Sequence, residues 1–298
     1  MGSRRVVKLG GVEIVVSLDE RWSARLRALM ERMFGGGGEV HGAAPAAPIV
    51  ALPADASPAQ RALAGRVADI AWYHTLDLDG VITPGFFDHR PHLGRYHLPD
   101  SLAGKRVLDV ASYNGFWAFE LERRGAAEVV AVDVRTMREV DLAPRRRAQM
   151  SAVELDQETG AGFALAHEIL GSRVRRETIS VYDLSPERLG SFDFVFCGDL
   201  LLHLTDPIRA LQRIRSVTCG EARLSEMFVA ALDQSGRAKL VGYQGGMEDF
   251  VWWLFSRSAF EAMIRDAGFD DVTQLDTFEL VPRGHTFAPP HAVFRAKP

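Results

Sequence analysis

The chain has 298 residues, 47% of them hydrophobic, and a formal net charge of −4. That length suits one large domain with an extension, and no apolar run is long enough to span a bilayer, so no membrane partner is expected. The acidic balance argues against a polyanion as default partner, because nucleic-acid-binding domains usually carry a basic surplus.

Two cysteines, Cys197 and Cys219, are too few for a disulfide framework or a cysteine zinc site. Arg4 and Arg5 lead into an alternating segment and not an apolar signal region, so a cytoplasmic location is expected. Lysine occurs only at Lys8, Lys105, Lys239 and Lys297, and arginine supplies the remaining positive charge.

In chain order, residues 5–16 alternate around Gly10 and Gly11 as a β-hairpin does. An amphipathic helix is expected over 19–34, with Asp19 as its cap, followed by a Gly/Ala/Pro linker to Pro48. Residues 1–48 thus read as an N-terminal extension. Residues 49–104 read as a helical and loop segment over the active site, with a helix over 57–72, and 105–298 as the main domain. From Lys105 onward strands and helices alternate, predicting an α/β fold: a mostly parallel seven-stranded sheet with helices on both faces. Strands are expected at 106–111, 128–133, 176–181, 192–197, 223–230, 271–278 and 290–296. Helices are expected near 115–124, 144–158, 160–170, 206–217 and 256–267. The last two strands lack an intervening helix and are expected to form an antiparallel hairpin.

The most informative run is RVLDVASYNGFWAFE over 106–120, followed by EVVAVD over 128–133. It reads as buried strand, tight turn, helix and second strand ending in a carboxylate, the front of a nucleoside-cofactor site. Asp133, about 20 residues past the turn, is placed to accept both ribose hydroxyls. A phosphate-binding turn wants glycine at alternate positions, yet here they hold Ala111, Tyr113 and Gly115. Tyr113 would crowd a pyrophosphate and Asp109 would repel one, so a phosphate-free cationic cofactor such as S-adenosylmethionine fits better.

With WYHTLDLDGVITPG over 72–85, FDFVFCGDLLLH over 192–203 and the segment 256–269, the chain resembles class I S-adenosylmethionine-dependent methyltransferases. Within them it is most similar to the tRNA wobble-uridine (5-oxyacetyl/5-methoxyuridine) methyltransferases and their small-molecule relatives. The resemblance implies a Rossmann-like fold. It also implies cofactor contacts at Asp109, Ala111, Ser112, Tyr113 and Gly115 for the methionine part and at Asp133 for the ribose. Val134, Tyr182 and Asp183 would serve the adenine, with Cys197, Gly198 and Asp199 at the end of the fourth strand facing the transferred methyl group. Asp183 has a second reading, as cap of the turn at Ser185 and Pro186.

His203 reads either as a catalytic base, since an imidazole titrates near neutrality, or as a structural histidine. His89, His92 and His97 with Asp88 suggest no metal site, because no two of the histidines stand at i, i+4 and Pro91, Gly94 and Pro99 forbid a regular helix. Trp72, Tyr73, His74 and Phe86 form either an acceptor-facing lid or core, and Trp252 and Trp253 a second candidate acceptor wall. The triplet Arg145, Arg146 and Arg147 reads as a solvated helix face.

The function expected is methyl transfer to an oxygen or nitrogen of a small-molecule acceptor. Modification of tRNA, including carboxymethyl transfer, and a non-methylating use of the same cofactor stand as alternatives. Carboxymethyl transfer needs cations for the extra carboxylate, and no lysine lies between Lys8 and Lys105.

Overall fold

The computed structural model describes residues 4–9, 12–17, 50–235, 239–247, 250–284 and 288–298. Strands β1 (Arg4–Leu9) and β2 (Val12–Ser17) pair antiparallel, with Leu9 opposite Val12, as the alternation predicts. The helix expected over 19–34 and the linker after it lie outside the described residues.

Helix α1 (Pro58–Ala68) starts at a reciprocal cap, in which the Ser57 side chain accepts from the Gln60 amide and the Gln60 side chain accepts from the Ser57 amide. It stops at Asp69, short of the expected 72, because the chain turns back. The Trp72 indole N–H then donates to the Val67 carbonyl at 2.9 Å, satisfying one of the orphan acceptors of the last turn. A two-residue hairpin follows, β3 (Asp77–Leu78) and β4 (Val81–Ile82). Its turn residues Asp79 and Gly80 both have positive φ, the Asp-Gly pattern of a tight hairpin. Residues Arg90–Tyr96 form a 3₁₀ stretch.

The main sheet contains β5 (Arg106–Val110), β6 (Glu128–Asp133), β7 (Arg175–Thr178), β8 (Phe192–Gly198), β9 (Thr218–Met227), β12 (Asp271–Glu279) and β13 (Pro290–Lys297), in the order β12-β13-β9-β8-β5-β6-β7. The five strands β5–β9 run parallel to their neighbours, and β13 is antiparallel to both β9 and β12. Outside it, β10 (Val241–Tyr243) pairs with β11 (Trp253–Phe255).

Strand alternation sorts the apolar residues into two cores. Leu108, Val110, Val130 and Val132 face α7 (Pro207–Val217) and α8 (Arg257–Asp266). Val107, Val129, Phe194 and Phe196 face α1, α2 (Phe116–Arg123) and α5 (Ala161–Leu170). Helices therefore cover both faces.

Further expected boundaries differ, and the strand expected over 176–181 already ends at Thr178. The helix expected over 144–158 is broken into α3 (Pro144–Arg147) and α4 (Ala152–Leu155), because Ser151 and Glu154 form a new reciprocal cap that restarts the helix. Strand β9 begins at Thr218 and not at 223, directly after α7. Gly220 permits this, since a Cβ there would meet the Asp193 carbonyl oxygen at 2.2 Å. The short α6 (Pro186–Leu189) leads into β8.

Because β6 lies on one side of β5 and β8 on the other, the chain crosses over in opposite directions from β5. A crevice opens outside the carboxyl ends of these strands, at the switch in strand order.

Candidate active site

That crevice holds a cavity of about 740 Å³. The residues just past each strand end line it: Ala111 after β5, Val134 after β6, Ile179 to Tyr182 after β7, and Asp199 and Leu200 after β8. Trp72, Tyr73, His74, Phe86 and Phe87 form an aromatic wall from the segment before the sheet, and His203 and Phe250 close another side.

The turn after β5 adopts the conformation that glycine would give, without the glycines. Ala111 has φ +61°, Tyr113 +44° and Gly115 +87°. A left-handed non-glycine residue costs about 1–2 kcal/mol, so the turn stores strain at the site. Asp133 holds it in place: Oδ2 accepts from the Tyr113 amide at 2.6 Å and Oδ1 from the Val134 amide at 2.7 Å. Each carboxylate oxygen keeps a second lone pair, so the group can still accept from a ligand's hydroxyls. Burial raises the Asp133 carboxyl above its usual range, against the pull of the Tyr113 amide and the Arg176 guanidinium.

Asn114 ties this turn to the aromatic wall. Its Oδ1 accepts from the amides of Tyr73 at 2.8 Å and His74 at 3.3 Å, while its Nδ2 donates to the Ala71 carbonyl. Gly85 lets the wall close, since a Cβ there would meet the His74 carbonyl carbon at 2.2 Å. The His74 ring stacks on Phe116, its Nδ1 is buried without a partner, and burial pushes its pKa down to about 3. His203 is half-buried, with Nδ1 at 3.3 Å from the Phe250 carbonyl, and burial lowers its pKa also.

Of the residues expected at the cofactor, Ala111, Tyr113, Asp133, Val134, Tyr182 and Gly198 line the cavity, and Asp109, Ser112, Gly115, Asp183 and Cys197 do not. Asp109 points beneath the turn, 1% exposed, and accepts from the Ala118 amide in the first turn of α2, where N-cap Gly115 offers no side chain. Burial pushes Asp109 up to about 8, so it does not charge the turn as the sequence suggested. Ser112 is fully buried beneath the turn. Gly115 packs against Phe119 and Phe163, Cys197 lies in the core, and Asp183 is exposed on the far side of its 3₁₀ turn.

On the acceptor side, Trp72, Tyr73, His74 and Phe86 line the cavity, and Trp252 and Trp253 do not. The Trp252 indole donates to the Asp141 carbonyl at 2.7 Å and that of Trp253 to the Leu204 carbonyl at 3.0 Å, so both brace the wall from behind. The arginine triplet is not uniformly solvated. Arg147 lines the cavity and donates to the Arg138 and Val140 carbonyls, and Arg146 lies over Phe250.

Asp199 lines the cavity, as its place at the end of the fourth strand implied, and so do Glu139 and Asp141, which were not singled out as site residues. A carboxylate just past a parallel strand is a readable signal for Asp199. Nothing local marks Asp141, which accepts from Tyr182 Oη and from the Thr205 amide and hydroxyl.

Among the described residues, the lining holds the carboxylates Asp133, Glu139, Asp141 and Asp199 against the single guanidinium of Arg147. An anionic cavity with a hydroxyl-accepting carboxylate fits S-adenosylmethionine, whose sulfonium and ammonium are both cationic. This sheet order with its carboxyl-end crevice is the class I methyltransferase architecture. The chain belongs to the methyltransferase domain family, which matches residues 90–274, more than half its length. The domain is thus that of an S-adenosylmethionine-dependent methyltransferase.

Among curated relatives, a tRNA U34 carboxymethyltransferase of Pseudomonas aeruginosa is 30% identical over 59% of this chain and 48% of its own. One of Campylobacter hominis is 29% identical over 45% of this chain and 40% of its own. A ubiquinone biosynthesis O-methyltransferase of Xanthomonas oryzae pv. oryzae is 35% identical over 38% of this chain and 39% of its own. The chain spans about half the length of the curated relatives it matches. The solved N-terminal domain of EvdMO1 with SAH bound is similar in fold. It has a TM-score of 0.56 and 16% identity, covering 80% of this chain and 96% of that one. Among the described residues no helix is long and apolar enough to cross a membrane.

Proposed function

We propose that this enzyme methylates an oxygen or nitrogen of a small-molecule acceptor in the cytoplasm. The observation that carries this reading is the cavity. Its volume of about 740 Å³ and its aromatic wall suit a cofactor together with a compact acceptor. The net charge of −4 and the near-absence of lysine argue in the same direction, since a tRNA would be held by basic side chains.

When bound, S-adenosylmethionine supplies an electrophilic sulfonium methyl. Asp133 holds the ribose hydroxyls, and Val134 and Tyr182 pack on the adenine. Trp72, Tyr73, His74 and Phe86 exclude water and align the acceptor, which supplies most of the rate enhancement in such a displacement. His203 receives the acceptor's proton. With Nδ1–H directed at the Phe250 carbonyl, its Nε2 carries the lone pair, and the lowered pKa keeps the ring neutral and ready to accept.

A second reading, modification of a tRNA uridine, is favoured by the similarity to relatives named for that reaction. The deciding experiment supplies the purified protein with isotope-labelled S-adenosylmethionine and, in parallel, a small-molecule extract and total tRNA. Label in the small-molecule fraction is the expected result. Label in tRNA, with binding that falls steeply as salt rises, would replace this reading with the second. Cofactor breakdown without methyl transfer to either would point to the non-methylating use of the fold.

A further inference from the structure

Asp199 stands one residue past β8, next to the β5 turn, and lines the cavity. With the ribose on Asp133 at the end of β6, as proposed above, the reactive end of the cofactor would reach across β5 toward β8 and Asp199. The residue adopts φ +49°, in the left-handed region that aspartate tolerates better than most residues.

Its carboxylate is held from behind. Oδ1 is buried, makes no hydrogen bond and lies 3.4 Å from Nε2 of His291, itself 2% exposed. The other ring nitrogen, Nδ1, is 2.9 Å from the Pro289 carbonyl and so carries hydrogen. Among the described residues nothing donates to Oδ2, which is not fully buried, so this oxygen is the one open to the cavity.

Among the described residues no cation of the lining balances it. Arg147, the one guanidinium there, is engaged with two backbone carbonyls, and burial keeps His74 and His203 neutral. Behind Asp199 lies a further acid, Glu226, fully buried and accepting from the amides of Leu201, Leu202 and Met227.

We propose that Asp199, seated on His291, is a specificity residue that restricts the donor to one whose transferred group carries no negative charge. This rests on the S-adenosylmethionine reading of the site. A sulfonium methyl beside Asp199 is attracted to it, whereas a carboxymethyl group brings a second carboxylate to a site without a counter-charge. The chain thus differs from the relatives named as carboxymethyltransferases in what it transfers.

The test is calorimetric and needs no acceptor. S-Adenosylmethionine and its analogue with carboxymethyl in place of methyl are titrated into the full-length protein and into Asp199→Asn and Asp199→Gly. The glycine variant accepts the positive φ, so it covers the case in which the asparagine variant misfolds. The parent is expected to prefer S-adenosylmethionine by about tenfold or more, and both variants to shrink that ratio by about fivefold or more. Equal affinities in the parent, or an unchanged ratio in folded variants, would overturn the proposal. Failure of the parent to bind either donor would instead overturn the cofactor reading beneath it.

Discussion

Replacing Asp133 by alanine tests the cofactor half of the site. In the parent, each carboxylate oxygen holds one backbone amide, Tyr113 at 2.6 Å and Val134 at 2.7 Å, and presents its remaining lone pair to the crevice. Alanine removes the acceptors for both ribose hydroxyls. A hydrogen bond to a charged group contributes about 1.5–3 kcal/mol, so the affinity for S-adenosylhomocysteine should fall about 10- to 150-fold. The variant also leaves the two amides without partners, and a thermal melt should register a smaller loss of stability alongside. Titration calorimetry on protein whose circular dichroism matches the parent separates the two effects. A folded Asp133→Ala protein with parental affinity would refute the assignment of the ribose to this residue.

Two further outcomes are expected. His74 has a folded-state pKa of about 3 against an ordinary 6.5, so between those values the unfolded chain binds a proton that the folded chain refuses. The stability present above pH 6.5 is therefore lost as pH falls toward 3, and His74→Phe should flatten the slope by at most about 1.4 kcal/mol per pH unit. Denaturant titrations of both proteins between about pH 4.5 and 7.5 check this, and equal acid sensitivity would show that His74 is not the group responsible. The aromatic residues should divide by position. Phe86→Ala should lower turnover while leaving cofactor affinity nearly intact, whereas Trp252→Ala, which removes a buried brace, should cost about 3–5 kcal/mol of stability. A Trp252→Ala protein as stable as the parent but slow in turnover would reverse that division.

The fold was legible because its signals are local and repeated. Apolar strands alternate with amphipathic helices from Lys105 onward, and the helix-free stretch between the last two strands marks the antiparallel hairpin. The ribose carboxylate was legible for the same reason, as the acid closing the second strand of a strand–turn–helix–strand run. Side-chain direction was less accessible. Asp109 and Asp133 both sit on strands beside the turn and on the same face of the sheet, yet Asp109 lies one residue short of its strand end, where it meets the Ala118 amide of α2, and Asp133 closes its strand at the crevice. The two tryptophans illustrate the same limit, since adjacency in sequence said that they face different ways but not that each would bond a carbonyl behind the wall. His291 was illegible because its strand reads as ordinary core, and only β13 lying beside β9 brings it near Asp199.

The clasp made by Asn114 bears on how such an enzyme could be re-addressed. The family match begins at residue 90 and ends at 274, so residues 71–74 and 86–87 of the wall, and His291 behind Asp199, all lie outside it. On the reading proposed above, a good part of the acceptor's address lies in the flank before the shared domain, while the flank after it reaches the donor through His291. Exchanging the first flank with a relative's would be a modular route to a new substrate, but the graft carries a condition. Asn114, inside the shared domain, bonds three backbone groups of residues 71–74. A transplanted wall would dock only if its backbone presented the same two amides and one carbonyl, so the compatibility of any donor segment reduces to the reach of a single carboxamide.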